Sequence, residues 1–534
     1  MRSSFMGLET AKRGMYTQQA ALSVLGHNIA NANTAGYTRQ RVNVKQTSAF
    51  PNAGFDKPYL PGQMGTGSEA GSIQRIRESF LDIQYRNDNS QLGYYASRTD
   101  ALTKMEDIMN EPSEQGLAKT MDRFWQSLQD LSVNPSNSGA RTVVLERAKA
   151  VAETFNYVSA SLKAVQSDLQ NQLNVETKNI NSLLSQIQNV NRQIADVEPH
   201  GMLPNDLYDE RDRLLDQLSG LVKIKTSYSS SGGNSLSSAE GKVTVDLVDE
   251  NGSVIESGRV IDGNDIKTEP KQLKVNYNTA TKLVESVSIG TNTVDVEKFT
   301  TPGKLSSLID SYGYTKDPLT NDTNGLYPSM LKELDLIANT FANEFNKVHS
   351  AYFAGPPAST ATNLNDKQGG YFFSDGTAGL PEDQVVGSGS VAALTTITAS
   401  NIKVNITNVN NIAAGLSTND GDGQNALKLA EVMRRNDLDF GGTPKTITSI
   451  TSYYQGVVGS MGVQSQEAER LMGNSAILVD AVDQNRQSVS SVSIDEEMTE
   501  MVKFQHAYNA AARNITAIDE MLDKVINSMG IVGR

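Results

Sequence analysis

In the last stretch of the chain, from Ile494 onward, apolar or small side chains recur at alternating steps of three and four residues. This spacing is typical of a coiled-coil seam and predicts one long helix, roughly 50 Å in length. Ser493 lies three residues before Glu496, a capping-box spacing that marks the start, and Gly530 is placed to end the helix. The predicted seam consists of Met501, Phe504, Tyr508, Ala511, Ile515, Ile518, Leu522, Val525 and Met529.

The first stretch of the chain has a matching pattern of apolar positions. Its predicted seam consists of Leu8, Ala11, Met15, Leu22, Leu25 and Ile29, with the polar Gln18 in step between them. A helix with one apolar stripe needs a partner that covers the stripe. Each terminal helix could cover an ordinary core, but two matching seams at the two ends favour pairing with each other. We therefore expect the two terminal helices to form one helical base, with all the segments between them extending outward from it.

Long helices are also predicted between the two ends. The longest pattern runs with three–four spacing from Ile180 to Val197 and stops at Pro199. Helical spacing starts near Ile73, after a segment from Phe50 to Gly71 that is rich in proline and glycine and is expected to be irregular. These helices are expected to form a bundle-like body.

The period changes from helical to alternating near Ser227. Val243, Val245 and Leu247 alternate with polar residues, and Asn251-Gly252 is a strong signal for a hairpin turn. Polar linkers on both sides predict an inserted β domain with a core of its own.

The expected fold class is multidomain and mainly α, with inserted β structure, a helical-bundle body, and terminal helices that pair as a coiled coil. The predicted segments are 1–45 (N-terminal helix and turn), 46–226 (first part of the body), 227–310 (β domain), 311–352 (second part of the body), 353–423 (loop-rich, with short strands and possible as a second insertion), 424–493 (third part of the body) and 494–534 (C-terminal helix).

Composition narrows the classes of partner and site. The net charge of −14 over 534 residues argues against nucleic acid or an anionic membrane surface as the main partner. The chain has no cysteine, which excludes disulfides and thiolate metal sites. No apolar segment at the start resembles a cleaved signal peptide, and no apolar run is long enough to insert into a membrane as a helix.

The sequence offers no catalytic constellation. Gly65 to Ala70 fits a loose dinucleotide fingerprint without the strand and helix that it requires, and Asp420 and Asp422 occupy part of a calcium-loop pattern that lacks its closing glutamate. No metal-ligand spacing occurs among His27, His200, His349 and His506. We therefore predict no enzyme activity, no cofactor and no metal, and we expect an assembly subunit.

Two motifs carry a resemblance to a known family. Residues 28–39, NIANANTAGYTR, resemble the N-terminal signature of bacterial flagellar axial proteins, which include rod, hook and hook-associated proteins. Residues 493–513 resemble the matching C-terminal motif of that family, and residues 206–216, DLYDERDRLLD, are similar to its member at the hook–filament junction. The motif residues carried over are Asn28, Asn31, Asn33, Thr34, Gly36, Tyr37 and Arg39.

The resemblance implies a structural subunit at the junction between hook and filament. Such a protein leaves the cell unfolded through flagellar type III export, without a cleaved signal peptide, and assembles at the distal tip through its terminal helices. The implied partners are other copies of the chain in a ring, the hook subunit, hook-associated protein 3, and an export chaperone on the C-terminal segment. The implied location is the extracellular flagellum.

Two other interpretations stay open at this point. The chain could be another axial protein, such as the hook subunit or hook-associated protein 3, although its length and three-part helical body argue against this. It could also be a secreted enzyme, such as a wall hydrolase, carried on flagellar ends. That enzyme would need an acid/base pair in a cleft, and the sequence nominates none.

Overall fold

The computed structural model describes residues 4–50, 62–109, 111, 113–317, 322–351, 368–384, 390–416, 421–441 and 445–528. The helices are α1 (Ser4–Ala30), α2 (Ser79–Met109), α3 (Leu117–Val133), α4 (Ser138–Val197), α5 (Asn205–Leu221), α6 (Lys304–Tyr312), α7 (Leu326–Ser350), α8 (Gln424–Glu431), α9 (Ile450–Ser490) and α10 (Ile494–Ser528). Among the described residues, no helix combines the length and the hydropathy that a membrane crossing requires.

Strands occupy the segments between the helices. They are β1 (Gln40–Gln46), β2 (Ser68–Arg75), β3 (Ile224–Ser229), β4 (Lys242–Val248), β5 (Val254–Ile261), β6 (Leu273–Tyr277), β7 (Val284–Ile289), β8 (Asn292–Asp295), β9 (Tyr314–Asp317), β10 (Asp322–Asn324), β11 (Gln368–Gly369), β12 (Phe373–Ser374), β13 (Asp383–Gln384), β14 (Lys403–Val404), β15 (Leu438–Asp439) and β16 (Ile447–Thr448). The expected fold class, mainly helical with inserted β structure and paired terminal helices, is confirmed.

Helix α4 is the central helix of the body. It spans 60 residues, or roughly 90 Å, and packs against α3, α5, α6 and α7. The side chain of Asn137 caps its start by accepting hydrogen bonds from the backbone N–H groups of Gly139 and Ala140, at 2.8 and 3.2 Å. Past its end, Gly201 adopts a φ of +78°, a left-handed conformation that favours glycine. The cap thus fixes the start of α4, and the glycine ends the 3₁₀ turn, Glu198–His200, that follows the helix.

Six phenylalanine rings fill the core where α3, α4 and α7 meet. The ring centroids of neighbouring members lie between 4.8 and 6.4 Å apart, in edge-on, tilted or stacked arrangements. Two of the rings come from the segment around β12, so this irregular part of the chain is anchored in the helical body. The cluster consists of Phe124, Phe155, Phe341, Phe345, Phe372 and Phe373.

The β region contains two sheets. Strands β3, β4 and β5 form an antiparallel meander, in which Ile224 lies opposite Leu247. The second sheet has the order β10-β9-β7-β6, with β8 beside β7. The strand predicted from Val243, Val245 and Leu247 is present as β4, where these three side chains are buried, as are those of Thr244 and Asp246 between them.

The predicted independence of the β domain is wrong, because its strands share a core with α4. Amide side chains on one face of α4 bind the backbone of the strands. Asn191 donates to the carbonyl of Val243 at 2.8 Å and accepts from its N–H at 3.0 Å, and Asn181 does the same with Leu273 at 2.8 and 2.7 Å. The apolar side chains of α4 and of β4, β6 and β7 belong to one continuous hydrophobic core.

Three predicted boundaries also differ from the structure. Residues 68–75 form β2 and not the start of the helical body, which begins at Ser79. Ile73 lies opposite Val42 of β1, so its apolar side chain belongs to a strand pair and not to a helical stripe. Strand β3 begins at Ile224, before the predicted 227, and β9 and β10 lie past the predicted end at 310. The edges of the β region are thus set by strand pairing between distant segments.

Candidate assembly site at the paired terminal helices

Helices α1 and α10 pack side by side in antiparallel orientation. At one end, the Asn28 amide donates to a carboxylate oxygen of Glu497 at 2.8 Å. Near the other end, a Cβ on Gly7 would lie 3.3 Å from the Cδ1 atom of Ile518. Positions 7 to 28 and 497 to 518 cover the same length of each helix, so the two helices stay in register along their contact.

The predicted seams lie near this contact, but the most buried side chains belong to a neighbouring stripe. Leu25 is buried, and the other predicted N-terminal positions are half-buried. Ala21 and Val24, which do not belong to the predicted seam, are 2% and 8% exposed. Their signal was the spacing from Thr17 through Ala21 and Val24 to Asn28. This spacing is also three–four, but it carries polar residues at both ends.

The C-terminal seam is half-buried from Met501 to Leu522. Val525 is 54% exposed, so the seam does not continue to that position within one chain, and Met529 lies outside the described residues. The side chain of Glu496, predicted to form a capping box with Ser493, instead accepts a hydrogen bond from Arg39 at 2.8 Å. The first turn of α10 is therefore tied to the motif that follows α1.

Asn28 is the centre of that motif and is fully buried. Its amide nitrogen also donates to the carbonyl of Gln40 at 2.9 Å. Its amide oxygen accepts from the N–H of Gln40 at 3.0 Å and from the Tyr37 hydroxyl at 2.8 Å. Burial, and then the nearby carboxylates of Asp209 and others, raises the pKa of Tyr37 above its ordinary value, so the hydroxyl stays a donor.

The other motif residues shape the turn that brings Arg39 to α10. The Asn31 amide donates to the His27 carbonyl at 3.1 Å at the end of α1, and Thr34 donates to the Asn31 side chain at 3.2 Å. Gly36 has a φ of +84°, in the left-handed region. Asn33 is exposed on the outside of the turn.

Arg39 joins α10 to the turn with two ion pairs. Its Nε atom donates to the buried Glu497 carboxylate at 2.6 Å, and its Nη1 atom to Glu496 at 2.8 Å. Its backbone N–H also donates to the carbonyl of Ser490 at 2.9 Å, at the end of α9. The structure therefore brings Asn28, Tyr37 and Arg39 together with Glu497 at the base of the terminal pair.

A buried cluster of arginines and carboxylates joins this base to the body. Residues 206–216 form most of α5, and Asp209 accepts from the backbone N–H of Thr38 at 3.1 Å. Asp209 also pairs with Arg75 at 2.6 Å, and Asp212 lies 2.9 Å from Arg75 and 3.1 Å from Arg86. The cluster thus connects the motif, β2, α2 and α5.

Asp212 is charged in this cluster. Burial alone would raise the pKa of its carboxyl, but the surrounding guanidinium groups of Arg77, Arg75, Arg211 and Arg86 hold that pKa well below its usual range. The segment 206–216 was recognised by resemblance, and its physical role was not predicted. A possible signal is that Tyr208, Arg211, Asp212 and Leu215 share one face of α5, which mixes charged and apolar residues.

Apolar side chains remain exposed on the outside of the terminal pair. Met498, Val502 and Ile526 on α10 are more than half exposed, as are Phe5 and Tyr16 on α1. Met498 and Val502 lie one helical turn apart, so they form a small exposed apolar patch that a partner could cover. Within the part of the chain that the structure describes, no group of three or more histidines and carboxylates could hold a metal ion.

Comparison with known proteins identifies the family. The sequence profile described as "Flagellar hook-associated protein FlgK helical domain" matches residues 102–373. Over the full length of both chains, this protein is 46% identical to flagellar hook-associated protein 1 of Bacillus subtilis (strain 168). The chain belongs to the flagellar hook-associated protein 1 family. The resemblance stated from the sequence motifs is confirmed.

Other comparisons agree with this assignment. Flagellar hook-associated protein 1 of Salmonella typhimurium (strain LT2) is 22% identical, over 97% of this chain and 98% of that protein. The structure of the flagellar hook junction protein FlgK from Burkholderia pseudomallei shares the fold, with a TM-score of 0.54 and 16% identity, over 76% of this chain and all of that chain.

Two further family profiles match the ends of the chain. "Flagella basal body rod protein" matches residues 8–38, and "Flagellar basal body rod FlgEFG protein C-terminal" matches residues 483–529. These are the segments that form α1 with its motif, the end of α9, and α10. The hook-associated proteins are structural components of the flagellum, so this member of the family is not an enzyme.

Proposed function

We propose that the protein forms the junction between flagellar hook and filament, and that the α1–α10 pair is its assembly element. The observation that carries the proposal is the long antiparallel pair with apolar side chains on its outer faces. The names of its relatives, hook-associated protein and hook junction protein, support the same role.

The terminal pair is suited to packing against other subunits. Two helices can cover only the sides that face each other, and α1 and α10 leave Met498, Val502 and Ile526 open to solvent. Covering one side chain of this size stabilises an assembly by about 1.5–3 kcal/mol. Copies of the chain in a ring would cover these faces, with the hook subunit on one side and hook-associated protein 3 on the other.

The route of the protein out of the cell is part of the proposal. The chain would pass unfolded through the flagellar type III export channel and fold at the distal tip. The absence of cysteine suits this route, because no disulfide can lock the chain before export. The exposed apolar face of α10 also gives an export chaperone a reason to bind the C-terminal segment, since such a face is an aggregation hazard.

Electron microscopy of cells that lack this chain tests the function. The junction role predicts complete hooks without filaments, with filament subunits released into the medium, and restoration of filaments by the intact gene. Cells without hooks would indicate a hook or rod subunit instead. Normal filaments on cells that lack the chain would contradict the proposal.

A further inference from the structure

Two grooves of opposite charge lie beside opposite parts of the second sheet. One is formed by the middle of α4, strand β6 and the turn between β7 and β8, and the other lies beside β9 along α2. The strand order β10-β9-β7-β6 puts β6 at one edge of that sheet and β9 and β10 at the other. The two grooves are therefore distinct surfaces, separated by the width of the sheet.

The groove beside β6, with a volume of about 1000 Å³, is basic. Lys178, Lys271 and Lys274 line it and are exposed. Within the described residues, none of these three ammonium groups lies within 4 Å of a carboxylate. Glu269, the acidic residue of the lining, is held by Arg192 at 2.8 Å. The lysine charges are thus not neutralised within the described part of the chain.

The groove beside β9, with a volume of about 610 Å³, is acidic and aromatic. Its carboxylates are those of Asp249, Glu250, Glu297 and Asp310, against the single guanidinium of Arg98. Glu250 and Glu297 are exposed and form no ion pair with the described residues. Tyrosine rings lie among these carboxylates, and aromatic faces attract ammonium groups. The rings are those of Tyr94, Tyr95 and Tyr314.

We infer that the basic groove beside β6 of one copy packs on the acidic groove beside β9 of the next copy, so that copies of this chain associate head to tail. A contact between two different surfaces of one chain is heterologous, and heterologous contacts form a ring when the rotation between neighbouring copies closes. Opposite charges on the two surfaces steer the copies together and set their orientation. The inference rests on the proposed function for its ring, and it adds a specific contact between neighbouring copies outside the terminal helices.

Site-specific cross-linking in assembled flagella tests the contact. Because the chain has no native cysteine, only the introduced cysteines of this chain can react. Cells that lack the chain would express the Lys274→Cys/Glu297→Cys variant, and isolated flagella would be treated with a short bismaleimide. The inference predicts a ladder of covalent oligomers. Each single-cysteine variant should give no ladder, because the two surfaces differ. A control pair, Arg147→Cys/Lys428→Cys, uses exposed positions outside both grooves.

Charge reversal gives a second and independent measurement. Lys271→Glu/Lys274→Glu should reduce the filaments retained under shear by about tenfold, because like charges then face each other. Adding Glu250→Lys/Glu297→Lys in the same chain should restore retention, whereas Arg147→Glu/Lys428→Glu should change it less than twofold.

The outcomes separate this inference from the proposed function. Flagella that contain the cysteine variant without a ladder, or reversals that do not rescue each other, would overturn the inference and leave the junction role standing. Absence of the unmodified chain from isolated flagella would overturn the junction role itself.

Discussion

Asn28 on α1 and Glu497 on α10 are separated by 469 positions in the sequence and joined by a hydrogen bond of 2.8 Å between two fully buried side chains. Asn28 also satisfies both backbone groups of Gln40. The two ends of the chain and the strand that leads into the body therefore meet at one amide group. Hydrogen bonds and ion pairs hold the α1–α10 pair together at this end, and apolar contacts hold the rest of the pair together.

Replacing Asn28 with alanine should loosen this end of the pair. The change leaves the N–H of Gln40 without its side-chain acceptor and removes a donor from the buried Glu497 carboxylate, at a cost of about 1–3 kcal/mol. Hydrogen exchange should show at least tenfold faster exchange of the amides in the first turns of α10. Asn33→Ala, in the exposed part of the same turn, is the matched control. Equal exchange in both variants would contradict the assigned role.

Neutralising Asp212 should destabilise the body. Its carboxylate balances the buried guanidinium groups of Arg75 and Arg86, and removal of one partner from a buried ion cluster costs about 3–5 kcal/mol. We expect Asp212→Asn to lower the denaturant midpoint strongly, and Glu210→Gln, which affects a half-exposed pair with Arg213, to change it little. Similar midpoints for the two variants would show that the cluster contributes little.

The same carboxylate gives a pH dependence with a defined sign. The pKa of Asp212 is lowered in the folded state, so its stabilising contribution is present above its ordinary range, near pH 4, and is lost as the pH falls below that range. Acid unfolding of the intact protein should therefore be steeper below pH 4 than that of Asp212→Asn. Parallel acid unfolding curves would contradict the lowered pKa.

His349 should make the protein less stable in mild acid. Full burial lowers its pKa to about 4, and the neutral ring donates from Nδ1 to the Gly370 carbonyl at 2.9 Å while its Nε2 accepts from the Ala413 N–H at 3.0 Å. Because the unfolded chain binds this proton near pH 6.5, stability is full above that pH and falls by about 3 kcal/mol as the pH drops to 4. His349→Gln should remove this part of the pH dependence. An unchanged slope in the variant would refute the assignment.

The amides on α4 should contribute measurably to stability. Asn191→Ala leaves both backbone groups of Val243 unpaired in a buried setting, which costs about 1–3 kcal/mol. Asn179→Ala, an exposed position on the same helix, should stay within about 0.5 kcal/mol of the parent. Denaturant unfolding followed by circular dichroism measures both. If Asn191→Ala behaved like its control, the strands would be held by apolar packing alone.

Periodic features of the fold could be predicted from the sequence. The helices α1, α4 and α10 and the strand β4 each depend on residues close together in the chain, whose spacing indicates the type of element. The motif of residues 28–39 was found by resemblance. Its physical basis, the buried amide of Asn28, depends on Gln40 and Glu497 and could not be read from the motif itself.

The features that were missed depend on contacts between distant segments. The start of strand β2 was assigned to the irregular segment that ends at Gly71, and its end to a helix because Ile73 also fits helical spacing. Its pairing with β1 becomes visible only in three dimensions. The arginine cluster joins Arg75, Arg86 and Arg486 to α5 from three other elements. Charged residues in a sequence are usually solvated, and no local pattern around these three arginines indicated that they pair with α5.

The substitution Ile515→Asp, scored by electron microscopy of cells that otherwise lack the chain, tests the central claim most directly. Ile515 is half-buried on the seam of α10, and Thr516→Asp places the same charge on an adjacent exposed position. We predict hooks without filaments for Ile515→Asp and normal filaments for Thr516→Asp, with the thermal midpoint of the purified protein within a few degrees of the parent. Normal filaments with Ile515→Asp would contradict assembly through the terminal helices.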